Sequence, residues 1–170
     1  MSDLILSKSN DQGNHNLRQF LTFSIGHEHF GMDLHQTREI IEYQGVTSVP
    51  LMPSFLCGVI NLRGEVVPVI DLNIRLGRKS IEVNKRTCVI IVELETTEQN
   101  VVLGLLADQV DEVIELVPES IEATPTFGTQ IKAEFVQGLA KNGEDFIVVL
   151  DAEKALSPTE LALIVESELN

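Results

Sequence analysis

The 170-residue chain has no tryptophan, one tyrosine, seven phenylalanines and only two cysteines. Cys57 and Cys88 belong to no C-x-x-C pair and each stands beside apolar neighbours, which favours buried thiols over a disulfide or a metal site. Positive charge is scarce as well: 12 Lys+Arg against 26 Asp+Glu leave a formal charge of −14. So acidic a surface repels phosphate backbones and anionic lipid heads, which makes nucleic acid a poor partner. Long apolar runs are also missing. The longest, from Val101 to Ala107 and interrupted only by Gly104, falls far short of the roughly 20 residues needed to cross a bilayer. The first 17 residues carry acids and polar groups where a secretory signal needs a basic end and an apolar stretch, so a cytoplasmic location is expected.

Catalytic signatures are absent too. The sequence contains no G-x-S-x-G elbow, Walker loop, G-x-G-x-x-G, H-E-x-x-H or kinase signature. His27-Glu28-His29 could hold a metal if it lay on a strand, but it reads as a polar turn and has no third ligand nearby in sequence. Asp108, Asp111, Glu112 and Glu115 lack the glycine-centred spacing of a calcium loop and read as a solvated face. Nothing obliges catalysis, a metal or a cofactor. A small-molecule-binding barrel that uses the histidine turn is the competing class.

What is present is a globular texture, 44% apolar, in a length suited to one ordinary domain or two small ones. Residues 1–16 are polar and read as a flexible tail. Phe20–Ile25, Gly26–His29 and Phe30–Met32 read as strand, turn, strand; Val59–Ile60, Asn61–Glu65 and Val66–Ile70 read as a second hairpin. Pro68 cannot donate to a ladder, so that strand is expected at an edge or to start there. Asp33–Glu42, with Leu34, Arg38 and Ile41 at near-helical spacing, reads as a short connector helix. Ser157-Pro158-Thr159-Glu160 is a helix start, and Leu161, Ile164, Val165 and Leu169 form the stripe of a C-terminal helix over 157–170.

Sliding the sequence along itself exposes a degenerate repeat. At an offset of 73, Gly31, Leu34, Glu39, Ile40 and Ile41 fall on Gly104, Ala107, Glu112, Val113 and Ile114. At 80, Gly58, Val59, Val69, Ile70 and Asp71 fall on Gly138, Leu139, Val149, Leu150 and Asp151. One unit runs from Phe20 to Leu72, the other from Cys88 to Asp151. Each has four or five strands and too little helix to cover both faces of an open sheet, which predicts an all-β protein of two small closed barrels. The expected boundaries are 17–84 and 85–156. The nearly continuous apolar runs Val89–Val92 and Val101–Leu105 suit strands covered on both sides, at the junction between the barrels.

The units differ at one turn. Lys141-Asn142-Gly143-Glu144 is a plain hairpin turn, whereas Asn61-Leu62-Arg63-Gly64-Glu65 sets a leucine and an arginine at its tip. An arginine there is either simply solvated or a binding tip whose planar fork anchors a partner. Glu39 is either a solvated acid or the carboxylate that holds that guanidinium in one orientation.

The sequence resembles the CheW family, the adaptor that joins bacterial chemoreceptors to the histidine kinase CheA. The resemblance rests on Gln19–Phe23, Phe30–Leu34, Arg38-Glu39-Ile40, Val102–Leu105, Gly138-Leu139 and above all Gly58–Leu72 (GVINLRGEVVPVIDL). It implies two SH3-like five-stranded barrels with a hydrophobic groove between them, and no enzyme activity, cofactor or metal. It also implies that a receptor's cytoplasmic tip docks near Thr37, Glu39, Gly58, Arg63 and Val110, with Asn61 and Gly64 framing the arginine and Glu39 and Arg63 as a pair. At Thr37 many relatives carry valine. The regulatory domain of CheA would bind the barrel ends, in arrays on the membrane that the chain itself does not enter. The same adaptor could instead serve a non-flagellar chemosensory pathway.

Overall fold

The computed structural model describes residues 17–95, 100–123 and 135–156; the expected tail and C-terminal helix lie outside the described residues. Ten strands follow in chain order: β1 Arg18–Ile25, β2 Glu28–Asp33, β3 Thr37–Glu42, β4 Leu56–Leu62, β5 Glu65–Asp71, β6 Cys88–Glu95, β7 Asn100–Ala107, β8 Gln109–Leu116, β9 Val136–Asn142 and β10 Asp145–Leu150. They form two five-stranded sheets, ordered β8-β1-β2-β10-β9 and β3-β6-β7-β5-β4.

The two orders are one pattern written twice. β8, β1, β2, β10 and β9 stand where β3, β6, β7, β5 and β4 stand in the other sheet, down to one parallel pair each, β2 with β10 and β7 with β5. The irregularities repeat as well. The β3 ladder skips Arg38 between Thr37 and Glu39, and the β8 ladder skips Asp111 between Val110 and Glu112. Gly58 and Gly138 both let a preceding segment pass against the strand: an added Cβ would lie 2.4 Å from the Thr47 carbonyl oxygen and 2.3 Å from that of Glu122. These approaches are the bridges Thr47↔Val59 and Glu122↔Leu139, each made of two backbone hydrogen bonds of 2.8–2.9 Å. The bridges join the chain beyond β3 to β4 and the chain beyond β8 to β9, the two ends of each sheet. Each sheet thereby curls into an SH3-like barrel.

The sequence units are therefore real, but their first hairpins are exchanged. β1-β2 completes the barrel of β8-β9-β10, while β6-β7 completes that of β3-β4-β5. The consecutive division at 84/85 is not how the strands are shared out: β1 and β2 sit with the later strands. The physical reason is that the three residues between β2 and β3, Leu34–Gln36, form a single 3₁₀ turn, and that turn sends the chain directly from one sheet into the other.

Exchange explains the burial. Phe20–Ile25 of β1, Phe30–Met32 of β2, Cys88–Val92 of β6 and Leu103–Ala107 of β7 are buried throughout. One face of each lies inside a barrel and the other between barrels. Leu21, Phe23, Phe30 and Met32 share one continuous core with Ile90, Val92, Leu103 and Leu105, and Phe23 stacks on Phe30 at 5.8 Å between ring centroids. At one end of the molecule, the guanidinium of Arg75 lies between the rings of Phe55 and Phe135, 4.7 and 4.8 Å from their centroids. Its Nε donates to the Ala155 carbonyl at 2.8 Å. Phe55 and Phe135 are counterparts at the offset of 80, so a single cation fastens both units.

Three local expectations change. Asp33 does cap a turn, accepting from the His35 amide at 2.9 Å, but the helix ends after Leu34–Gln36 and residues 37–42 are strand β3. The skipped Arg38 shifts the inward-outward alternation by one residue, which gives an extended segment helix-like spacing. The first turn is only Gly26-His27, because Ile25 already pairs with Glu28, so His29 belongs to β2. β5 lies between β7 and β4 rather than at an edge. Pro68 is tolerated there because the ladder to β7 begins at Val69.

Candidate functional site

The β4-β5 turn is built on residues 62–65. Leu62 pairs with Glu65, and both residues between them have positive φ, 52° at Arg63 and 88° at Gly64, as a type I′ turn requires. Glycine adopts that conformation without cost, and asparagine or aspartate readily. Arginine does not, so Arg63 keeps a strained backbone to place its side chain. Asn61 stiffens the turn by accepting from the Gly64 amide at 2.9 Å.

The side chain so placed reaches Glu39 on β3. Arg63 Nη1 donates to Glu39 Oε1 and Nη2 to Oε2, both at 2.7 Å, a parallel bidentate pair. Arg38 adds weaker pairs with Glu65 at 4.0 Å and Glu93 at 3.7 Å. β3 and β4 are opposite ends of their sheet, so the pairs Arg63–Glu39 and Arg38–Glu65 reach across the barrel's closing side, while Arg38–Glu93 joins β3 to its neighbour β6. The hydrogen bonds from Arg63 hold the Glu39 carboxyl below its ordinary value; partial desolvation opposes this, while the charges of Arg63 and Arg38 assist. Glu39 in turn raises the Arg63 pKa. In the other barrel a neutral donor takes the arginine's part, with Asn142 Nδ2 donating to Glu112 Oε1 at 3.1 Å. Among the described residues the first barrel's tip is the one that holds an arginine in a bidentate pair, and the Arg63 side chain stays 70% exposed.

Beside this tip runs the seam between the barrels. A cavity of about 760 Å³ is lined by Ile40–Glu42 of β3, Gln109–Glu112 of β8 and Lys85–Cys88 before and at the start of β6. β3 and β8 are counterpart edge strands, so the groove lies between the matching edges of the two sheets. Its floor is aliphatic, and burial pushes the Cys88 thiol up to about 11, with the charges of Asp108 and Asp111 adding to the shift. Cys57, half-buried, is pushed up to about 11 by desolvation and then Asp71. Both cysteines are free.

The expected site residues divide among three places. Glu39, Asn61, Arg63 and Gly64 form the charged tip, and Asn61 also lines a smaller cleft of about 370 Å³ with Ile41, Thr47 and Val59. Val110 lines the groove. Thr37 and Gly58 are structural by position. Thr37 is 2% exposed at the start of β3 and its Oγ1 has no hydrogen-bond partner among the described residues; Gly58 makes room for Thr47. The aliphatic floor, Ile40 and Ile41, and the cationic rim, Lys85 and Arg86, escaped the sequence reading. Their signals were adjacent isoleucines in an edge strand and adjacent cations in an acidic chain. The histidine turn contributes a polar network instead: Ser24 Oγ donates to Asp111 Oδ2 at 2.7 Å and lies 3.1 Å from His29 Nδ1. Among the described residues no group of three or more His, Cys, Asp or Glu is placed to hold a metal. No helix among them is long and apolar enough to cross a membrane.

Comparison with known proteins agrees with this architecture. The sequence profile of the CheW-like domain matches residues 19–160. The chain is 35% identical over 147 residues to a chemotaxis protein CheW of Klebsiella aerogenes, covering 86% of each. It superposes with a TM-score of 0.72 on the crystal structure of scaffolding protein TtCheW from Thermoanaerobacter tengcongensis, at 34% identity over 85% of this chain and 90% of that one. A more distant relative is protein FrzA of Myxococcus xanthus, 28% identical over 82% of this chain and 85% of that protein.

Proposed function

Since the chain belongs to the CheW-like family, we propose that it is a non-catalytic scaffold coupling the cytoplasmic tips of chemoreceptors to the histidine kinase CheA in bacterial chemotaxis. It would work in the cytoplasm, recruited to receptor arrays. The observation that carries this reading is Arg63, held in a strained turn, clamped by Glu39 and still exposed beside an aliphatic seam. A turn that keeps an arginine where asparagine would relax the backbone serves contact rather than folding.

The mechanism is mass action through two surfaces. A rigid double barrel that holds receptor and kinase together raises their effective mutual concentration. A receptor's signalling state shifts the kinase only through contacts that differ between states. Clamped arginines suit such contacts, because the fork is oriented before binding and little side-chain freedom remains to be lost. Thr37, Glu39, Gly58, Asn61, Arg63, Gly64 and Val110 would serve the receptor side, the first barrel's tip making contact and the buried members shaping it.

The test is binding of a soluble receptor-tip fragment to wild type and to Arg63→Ala. Truncating a central interface anchor weakens affinity by about thirtyfold or more, with folding nearly intact. A change below about threefold refutes the anchor. The resemblance to protein FrzA supports a second reading, the same adaptor in another chemosensory pathway; identifying the kinase that co-purifies with the chain separates the two.

A further inference from the structure

The sequence ahead of β1 is polar except at one place. Within residues 1–16 the large aliphatic side chains after Met1 are Leu4, Ile5 and Leu6, adjacent to one another and flanked by Asp3 and Lys8. Three consecutive aliphatic side chains gain by leaving water wherever an apolar surface receives them. The seam groove offers such a surface. Its volume is about 760 Å³, and Ile40 and Ile41 on its β3 side are only partly buried.

The tether brings the triplet within reach. β1 begins beside β8, with Arg18 opposite Leu116, and the other end of β8, Gln109–Glu112, lines the groove. Along a strand, Leu116 lies about 14–24 Å from those residues. The stretch from Leu6 to Leu17 spans up to about 36–40 Å, which exceeds the gap. A segment tethered this closely meets the groove at an effective concentration on the order of mM, so a contact too weak to hold a separate peptide still fills it.

Charge does not oppose the contact. The chain as a whole carries −14 and repels acidic segments that arrive from elsewhere. Residues 1–16 hold one lysine and two aspartates, 1 − 2 = −1. The groove's rim carries both signs, Lys85 and Arg86 with Glu42, Asp111 and Glu112, so Asp3 and Lys8 on the two sides of the triplet each meet an opposite charge there.

We propose that Leu4-Ile5-Leu6 occupy the seam groove of their own chain, on Ile40, Ile41 and Val110, and must leave before a partner docks there. The consequence for coupling rests on the scaffold reading; the contact itself does not. The segment is a built-in competitor. A groove open in only a half to a tenth of the molecules binds its partner about two to ten times more weakly than an empty one.

The test compares the full wild-type chain with Leu4→Ser/Ile5→Ser/Leu6→Ser. These positions precede all ten strands, and thermal melting verifies that the fold is kept. NMR signals of Ile40, Ile41 and Val110 are followed over a range of chain concentrations, and a soluble chemoreceptor-tip fragment is titrated calorimetrically into both chains. The triple variant should shift those signals equally at every concentration and bind the fragment about two to ten times more tightly. Unchanged groove signals, shifts confined to other surfaces, or shifts that grow with chain concentration, the mark of a second copy's segment, overturn the inference; fragment binding by the wild type then leaves the scaffold reading intact. Groove shifts with equal fragment affinity overturn the competition. Groove shifts with no fragment binding by either chain overturn the scaffold reading and leave the contact standing.

Discussion

Thr37 offers a sharp test of the packing around the site, because one atom is at stake. Its Oγ1 is buried with no hydrogen-bond partner among the described residues, and its backbone amide already donates to the Leu34 carbonyl, which any residue but proline would preserve. Replacing threonine by valine exchanges the hydroxyl for a methyl of nearly the same size and keeps the β-branch that suits a strand. The counterpart position in the other barrel is filled by Val110, against Phe23 where Thr37 stands against Val92. A stranded buried hydroxyl costs about 1–3 kcal/mol, and for a chain of this size each kcal/mol moves the melting temperature by about 2–4 °C. Thr37→Val should therefore melt about 2–12 °C higher and show a raised urea midpoint with an unchanged slope. Thr37→Ser, which keeps the hydroxyl and loses the methyl, should melt below wild type. An unchanged or lower melting temperature for Thr37→Val would refute the reasoning, since it would mean that the hydroxyl is satisfied in solution.

Other expectations follow from the same geometry. Gly58→Ala and Gly138→Ala should both lower the melting temperature, because each drives a methyl into a carbonyl and breaks a two-bond bridge worth about 1–3 kcal/mol; thermal denaturation of the pair shows whether the counterparts behave alike. Arg75→Met should cost about 1–3 kcal/mol in urea unfolding, through the loss of the Phe55–Phe135 clasp and the bond to Ala155. The thiols of Cys57 and Cys88 are pushed up to about 11 by burial, so the folded state holds their protons more tightly than the unfolded state does. That contribution is fully present below the unfolded value near pH 9 and is lost as pH rises towards 11. Denaturation midpoints across that window should fall more steeply for wild type than for Cys57→Ala/Cys88→Ala.

The repeat, the barrels and the charged tip were legible because each depends on local pattern: turn residues, glycines at close approaches, and a short unit read twice. The hairpin exchange was not. β1-β2 and β6-β7 occupy equivalent places, so their apolar patterns fit either barrel, and only the tight Leu34–Gln36 turn decides between them. The connector helix was misread because a bulge at Arg38 imitates a helical period. The burial of Thr22 and Ser24 also escaped prediction, since two hydroxyls in β1 look solvated until Thr22 is seen bonding both ways with the Glu112 backbone, at 2.9 and 3.0 Å. The groove itself belongs to no single segment. Its walls come from residues 40–42, 85–88 and 109–112, which meet only when the two sheets are in place.

The central claim is that this chain transmits receptor state by holding partners rather than by chemistry of its own. Its most direct test is the phosphorylation rate of purified CheA mixed with receptor-containing membranes, with and without the chain and with Arg63→Ala. The account predicts that kinase activity responds to receptor and attractant only when the wild-type chain is present, and that Arg63→Ala fails to restore the response. Kinase activity equally receptor-controlled without the chain, or fully restored by Arg63→Ala, would contradict it.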